Sequence, residues 1–220
     1  NGSVGDSDLS GNLTYDTRGE RGFLKADLTS ELLDSEDLGG FIGLPPSGDD
    51  ASPEQNQAAA EKAASPNLIP DVPLTVERLR ATDLDVTLHA ARIEAPNVPI
   101  KSMDVRFDLR NGLLKLDPMK VALADGTVEG TVEVDARHDT PPMKMDLILR
   151  KLSLGQFFAG TRFAETTDGL FGGKIILAGR GASLAEVLAS SNGELVVVMV
   201  GGKISLLLME AADLDLGQAL

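Results

Sequence analysis

The chain has 220 residues, 42% of them hydrophobic and 4% aromatic, and a formal net charge of −14 from 34 Asp and Glu against 20 Lys and Arg. An acidic chain with no Lys/Arg cluster is a poor partner for nucleic acid, whose binding rests on neutralised phosphates, and anionic membrane surfaces repel it as well. Zero cysteines exclude a disulfide framework, a thiolate nucleophile and cysteine-based zinc, and fit either a reducing cytosol or an envelope compartment.

The length allows one or two domains. With no Trp and one Tyr, the core must be built from Leu, Val, Ile, Ala and Met. The polar opening "NGSVGDSD" and the ending "LGQAL" suggest a segment of a longer protein, with no signal peptide, stop-transfer segment or lipidation motif in this stretch. Asn1-Gly2-Ser3 and Asn12-Leu13-Thr14 fit the glycosylation sequon, a pattern too short to carry weight.

Residues 1–44 read as a β-hairpin followed by a helix that begins at Asp34 and carries Asp37 and the apolar Leu38, Phe41 and Ile42. Residues 45–66, "PPSGDDASPEQNQAAAEKAASP", hold no large apolar side chain to offset the entropy of ordering, which predicts a disordered insertion between strands or a linker.

Residues 67–220 form the main body. From Leu74 onward the pattern alternates with period two, the mark of half-buried strands. Leu84, Val86 and Leu88 alternate with Asp83, Asp85, Thr87 and His89, and Val105, Phe107 and Leu109 alternate with Asp104, Arg106, Asp108 and Arg110. The series continues through Leu114 and Leu116, Val121 and Leu123, Val132 and Val134, then Met143, Met145, Leu147 and Leu149, and finally Ile175 and Leu177. Turn residues at Asn111-Gly112, Asp125-Gly126 and His138 to Pro142 make the connections short, which predicts antiparallel neighbours in a meander.

Helices are expected near 153–160 and 183–191, each opening on a capping box, Ser153 with Gln156 and Ser183 with Glu186. In "ELVVVMVGGKISLLLME", the apolar run from Leu195 to Leu208 is interrupted by Gly201, Gly202 and Lys203 and falls short of the ~20 residues a membrane span needs. Leu195 to Val200 reads as a strand buried on both faces, the glycines as a sharp exit, and Ser205 as the N-cap of a closing helix near 205–213, stapled by Ile204 against Met209. A Gly-Gly hairpin is the alternative.

An internal repeat underlies this order. "GNLTYDTRGERGFLKADL" (11–28) aligns without a gap on "GTVEVDARHDTPPMKMDL" (130–147), a constant offset of 119 residues. Each copy leads into an expected helix ending in Phe-x-Gly, Phe41 to Gly43 and Phe158 to Gly160. Between Gly172 and Val200 a variant unit has a capped helix in place of the hairpin turn.

No constellation carries catalysis. Gly179-Arg-Gly181-Ala-Ser183 lacks the third glycine of a dinucleotide loop and any following Gly-Lys-Ser/Thr, so it reads as a capped strand-to-helix turn. His89 and His138 are the only histidines, and no Gly-x-Ser-x-Gly elbow or calcium loop occurs. The chain reads as no enzyme, with no cofactor and no metal site. Its outstanding feature is one aliphatic sheet face, which either closes on itself as a sandwich or barrel or stays open for a ligand.

"NGLLKLDPMKVALADGTVEGTVEVDARHDTPPMKMDLILRKLSLGQFF" (111–158) and "GRGASLAEVLASSNGELVVVMVGGKISLLLMEAADLDLGQAL" (179–220), joined by "RFAETTDGLFGGKIILAG", resemble the C-terminal region of AsmA-like proteins. The resemblance implies a mainly β fold with a few short helices, a long curved antiparallel sheet forming an open, taco-like β-groove rather than a closed barrel, akin to TamB-type bridge-like lipid-transfer proteins. It implies a periplasmic location in Gram-negative bacteria, an inner-membrane anchor elsewhere in the full-length protein, and a role in phospholipid transport or lipid homeostasis between inner and outer membrane. The implied partners are phospholipid acyl chains, the membrane through parts outside this segment, and envelope proteins. On this reading the groove is lined by Leu84, Val86, Leu88, Val105, Phe107, Leu109, Leu116, Leu123, Val132, Val134, Met143, Met145, Leu147, Leu149, Ile175 and Leu177. The alternative is an envelope scaffold with a closed β core and no lipid.

Overall fold

Strands dominate because β-branched and other aliphatic residues alternate with charged ones along most of the chain, a pattern that fits a pleated, half-buried surface. The computed structural model describes residues 2–4, 7–19, 21–34, 76–94, 99–157 and 168–203. Its strands are β1 (Gly2–Val4), β2 (Ser7–Asp16), β3 (Gly22–Ser30), β4 (Leu33–Asp34), β5 (Thr82–Ala90), β6 (Ile93–Glu94), β7 (Ile100–Arg110), β8 (Leu113–Leu123), β9 (Gly126–Asp135), β10 (Pro142–Ser153), β11 (Asp168–Arg180) and β12 (Asn192–Lys203). Among the described residues three short helices accompany them: α1 (Val76–Ala81), α2 (Leu154–Phe157) and α3 (Leu184–Ala189).

One sheet holds all but two strands, in the order β1-β2-β3-β5-β7-β8-β9-β10-β11-β12, and it does not close into a barrel. The short β1 joins it only through the start of β2. The expected meander holds from β5 to β12, where every pair is antiparallel. It fails at β3 and β5, which run parallel, with Gly22 beside Thr82 and Ser30 beside Ala90. Parallel neighbours need a crossover of a dozen residues or more, and the stretch from Ser30 to Thr82 supplies it. The strands on either side of 45–66 therefore share one sheet. Beyond a kink the same two strands resume as β4 and β6, again parallel, with Leu33 beside Ile93.

The turns follow local backbone chemistry. Asn111 (φ 49°) and Gly112 (φ 76°) make the expected β7–β8 turn. The next turn falls one residue earlier than the sequence suggests, at Ala124 (φ 47°) and Asp125 (φ 64°). Gly126 is the first residue of β9 instead, where a Cβ would lie 2.2 Å from the Arg150 carbonyl oxygen. Register shifts interrupt β7 near Lys101, β8 between Leu116 and Met119, and β10 between Leu149 and Leu152. Such bulges bend a strand, and the one in β8 also gives Pro118 a place without a ladder bond.

The helices differ from expectation in detail. Asp34 ends a strand rather than starting a helix, and Asp37, Leu38, Phe41 and Ile42, segment 45–66, Phe158 to Gly160 and the closing helix near 205–213 lie outside the described residues. α1 interrupts the alternation expected from Leu74, because Val-Glu-Arg-Leu-Arg-Ala is a run of mostly good helix formers. At α3, Ser183 Oγ accepts from Glu186 N at 3.3 Å, but the Glu186 carboxylate reaches Ala182 N at 2.7 Å, one residue before the position a capping box requires.

The largest departure is β12. It is the last strand of the order, and among the described residues nothing pairs with its outer edge. Leu195, Val196, Val197, Val198 and Val200 are 43–71% exposed, so the expected burial on both faces does not occur. The strand also runs through Gly201 and Gly202 to Lys203, so these glycines are neither its exit nor a hairpin.

Candidate functional site: an open aliphatic face

Residues paired across neighbouring strands share a face of the sheet, so the register sorts the side chains into rows. The first row contains Leu24, Leu84, Leu109, Leu114, Val134 and Met143. The second runs Leu13, Ala26, Val86, Phe107, Leu116, Val132, Met145 and Leu177. The third runs Leu28, Leu88, Val105, Met119, Gly130, Leu147, Ile175 and Leu195. The fourth runs Ala90, Met103, Val121, Val128, Leu149, Gly173 and Val197. Leu123, beside Gly126, extends the same face.

All sixteen residues singled out from the sequence therefore lie on one face. They are not equally open. Leu88, Val105, Leu109, Val134, Met143 and Met145 are buried, and the other ten are half-buried. Along the first row, Leu79 of α1 and Leu184, Val187 and Leu188 of α3 pack with Leu114, Val134, Met143 and Met145. At the opposite strand ends, Leu33 of β4 and Ile93 of β6 pack with Leu88, Ala90, Ile100 and Met103. The two methionines thus sit beneath a helix rather than on a free surface. Between these covers the middle rows remain accessible at Leu116, Met119, Val132, Leu147, Ile175 and Leu177. Leu195 and Val197 continue that surface and are 62% and 56% exposed. The sequence reading missed these two, because an unbroken Val run cannot be told from a strand buried on both sides.

The other face is charged and paired. Arg106 Nε donates to Asp85 Oδ1 at 2.9 Å, and this guanidinium holds the Asp85 carboxyl below the usual carboxylate range. Glu133 lies 3.5 Å from Lys115 and 3.9 Å from Lys144, and Glu129 lies 3.5 Å from Lys120 and 3.9 Å from Arg150. His89 pairs with Asp104 on the same face, and His138 stands 3.7 Å from Asp135 in the β9–β10 turn. Exposed pairs of this kind are each worth ~0–1 kcal/mol, so they keep this side wet and in register rather than hold the fold together. A shallow depression of about 590 Å³ is lined mainly by this face, including Lys115, Glu133, Lys144 and Asp146. There Lys115 and Lys144 both pair with Glu133.

Among the described residues no group of His, Cys, Asp or Glu is arranged to hold a metal ion. No described helix is long and apolar enough to cross a membrane.

Taken together, the register and the middle rows, which no described helix covers, define a β protein whose aliphatic face is open among the described residues. The chain belongs to the AsmA family: the family model described as AsmA family matches residues 1–220. The chain is 32% identical over 223 residues to the AsmA family protein YhjG of Escherichia coli (strain K12), an alignment covering 99% of this chain and 32% of that protein. It therefore spans about a third of that relative's length. No solved structure matches it. The family is broadly linked to envelope and lipid-related function.

Proposed function

We propose that the open face shields phospholipid acyl chains in the periplasm, as one segment of an inner-membrane-anchored protein that supports phospholipid transport or lipid homeostasis between the two membranes. The observation that carries this reading is the unbroken run of apolar rows from β3 to β12 in a sheet that does not close. The first and fourth rows lie six residues apart along a strand, seven along the bulged β8, roughly 20 Å, and seven strand spacings give roughly 34 Å in the other direction. A bilayer's hydrocarbon core is ~30 Å thick across two leaflets, so tails of roughly half that length fit on such a surface. Apolar burial rewards any acyl chain alike, at ~25 cal/mol per Å², so the reading needs no cofactor, no catalytic residue and little headgroup selectivity.

An envelope scaffold with a closed β core fits less well, because the terminal strands of the sheet, β1 and β12, stand at opposite ends of an order that does not close.

Native mass spectrometry after gentle purification is expected to show co-purifying phospholipid, and the purified chain is expected to draw fluorescent phospholipid out of zwitterionic vesicles. A chain that is lipid-free and also refuses the fluorescent lipid overturns the reading.

A further inference from the structure

The two helices that cover the first apolar row are held very differently. α3 is fastened at both ends. Ser183 caps its start, and Ser190 Oγ donates to the Arg180 carbonyl at 2.6 Å while accepting from Arg180 N at 2.8 Å. α1 leads directly into β5, and among the described side chains its polar tie to the far strands is Arg80. That guanidinium donates through Nε to the Ala136 carbonyl and through Nη2 to Asp139 Oδ1 at 3.0 Å, reaching past β7 and β8 to the β9–β10 turn. Leu79 beside it is a partly buried member of the cluster formed by Val134, Met143 and Val187.

We propose that α1 is a cover latched by Arg80, and that its undocking opens the strand-end rim over Leu114 and Val134 to an acyl chain arriving from the side. The proposal rests on the acyl-chain reading of this face and adds to it the place of entry. Three observations support it. A six-residue helix does not persist in water without packing partners, so α1 is helical only while docked. The Asp139 side chain is 97% exposed, and such an ion pair adds little stability, which suits a contact that must break repeatedly. The surface beneath is apolar and continuous with the accessible middle rows, so an entering tail replaces Leu79 on a like surface.

The test uses the whole chain with Arg80→Ala, Asp139→Asn and a locked form. Because the protein has no cysteine, an Arg80→Cys/Asp139→Cys pair bridged by a short bis-maleimide pins α1 in place, and the same variant left unbridged is its control. Hydrogen exchange over residues 76–81 reads the latch, and uptake of fluorescent phosphatidylcholine from vesicles reads entry. The expected result is several-fold faster exchange and several-fold faster uptake for Arg80→Ala, and slower uptake for the bridged form than for its control. Unchanged exchange in Arg80→Ala overturns the latch. Raised exchange with equal uptake in open and bridged forms overturns the gate while leaving the acyl-chain reading intact. No uptake by any form overturns that reading, and the gate with it.

Discussion

Arg137 clasps Asp135, two residues before it, through Nε to Oδ1 at 2.7 Å and Nη2 to Oδ2 at 2.6 Å. Arg18 holds Asp16 in the same way, at 2.9 Å and 2.6 Å. These are equivalent positions of the two copies of the repeat, so the copies share a side-chain device as well as a strand pattern. The pairing agrees: Gly11 stands opposite Leu28, and Gly130 opposite Leu147.

The clasp makes stability sensitive to acid. Arg137 holds the Asp135 carboxyl down to about 2 from an ordinary value of 3.8, and Arg18 lowers Asp16 likewise. A depressed carboxyl contributes stability that is complete above its unfolded value and is lost as pH falls through its folded one. The unfolding free energy should therefore decline below about pH 4 and keep declining towards about pH 2. Carbon-detected NMR titration should place the Asp135 midpoint near 2, and Arg137→Ala should return it towards 3.8. A midpoint unmoved by that substitution would show that another group sets it.

Gly130 has φ 153°, and a Cβ there would lie 2.0 Å from the Asp146 carbonyl oxygen. Gly11 and Gly193 share both features, with φ 149° and 153° and a carbonyl oxygen at 1.9 Å. Gly130→Ala should cost at least about 2 kcal/mol, measured by urea unfolding. An alanine variant of wild-type stability would contradict this backbone geometry.

Leu33 is 0% exposed although its strand has two residues. Its packing with Leu88, Ala90 and Ile93 closes one rim of the apolar face. Leu33→Ala should destabilise by about 2–5 kcal/mol, as buried leucine truncations do, read by thermal or urea unfolding.

Core and open surface should separate cleanly. Val105 is 2% exposed, so Val105→Asp buries an unpaired charge and should prevent folding. Leu147 and Ile175 sit half-buried on the middle rows. Leu147→Arg should change the unfolding free energy by only ~1 kcal/mol while abolishing uptake of fluorescent phospholipid. Circular dichroism checks the fold and the vesicle assay checks binding; full uptake by a folded Leu147→Arg protein would argue against this surface as the lipid site.

Among the described residues β12 presents an unpaired edge that is long and apolar on both faces, the profile of an association site. Val197→Lys should reduce concentration-dependent association of the purified chain, followed by light scattering and sedimentation velocity. Equal association by the parent and the variant would place the contact elsewhere.

Much of this architecture is legible in the residue pattern, and the illegible parts share a cause. Alternation marks which side of a strand is apolar, so all sixteen expected residues fall on one face. It carries no information about strand direction, and the parallel pairing of β3 with β5 was therefore hidden behind a crossover of low apolar content. It also cannot show what covers a face. Met143 and Met145 look like any other alternating residues until α3 is placed over them, and Val196 and Val198 look buried until their strand proves to be the last in line. α1 escaped notice because six residues leading straight into a strand leave too little periodicity to read.

The near-equivalence of the aliphatic rows leaves the protein with an alignment problem. Sliding one strand by two residues keeps every oily side chain on its proper side, so the hydrophobic effect scarcely distinguishes the correct alignment from its neighbours. That choice must rest on features that do not recur every second position: glycines such as Gly11, Gly130 and Gly193, whose neighbours leave no room for a methyl group, the proline in its bulge, and the left-handed turns. Leu, Val, Ile and Met can then exchange freely over most of the surface during evolution, while a handful of small or rigid residues act as the pegs that keep the ribbon from slipping.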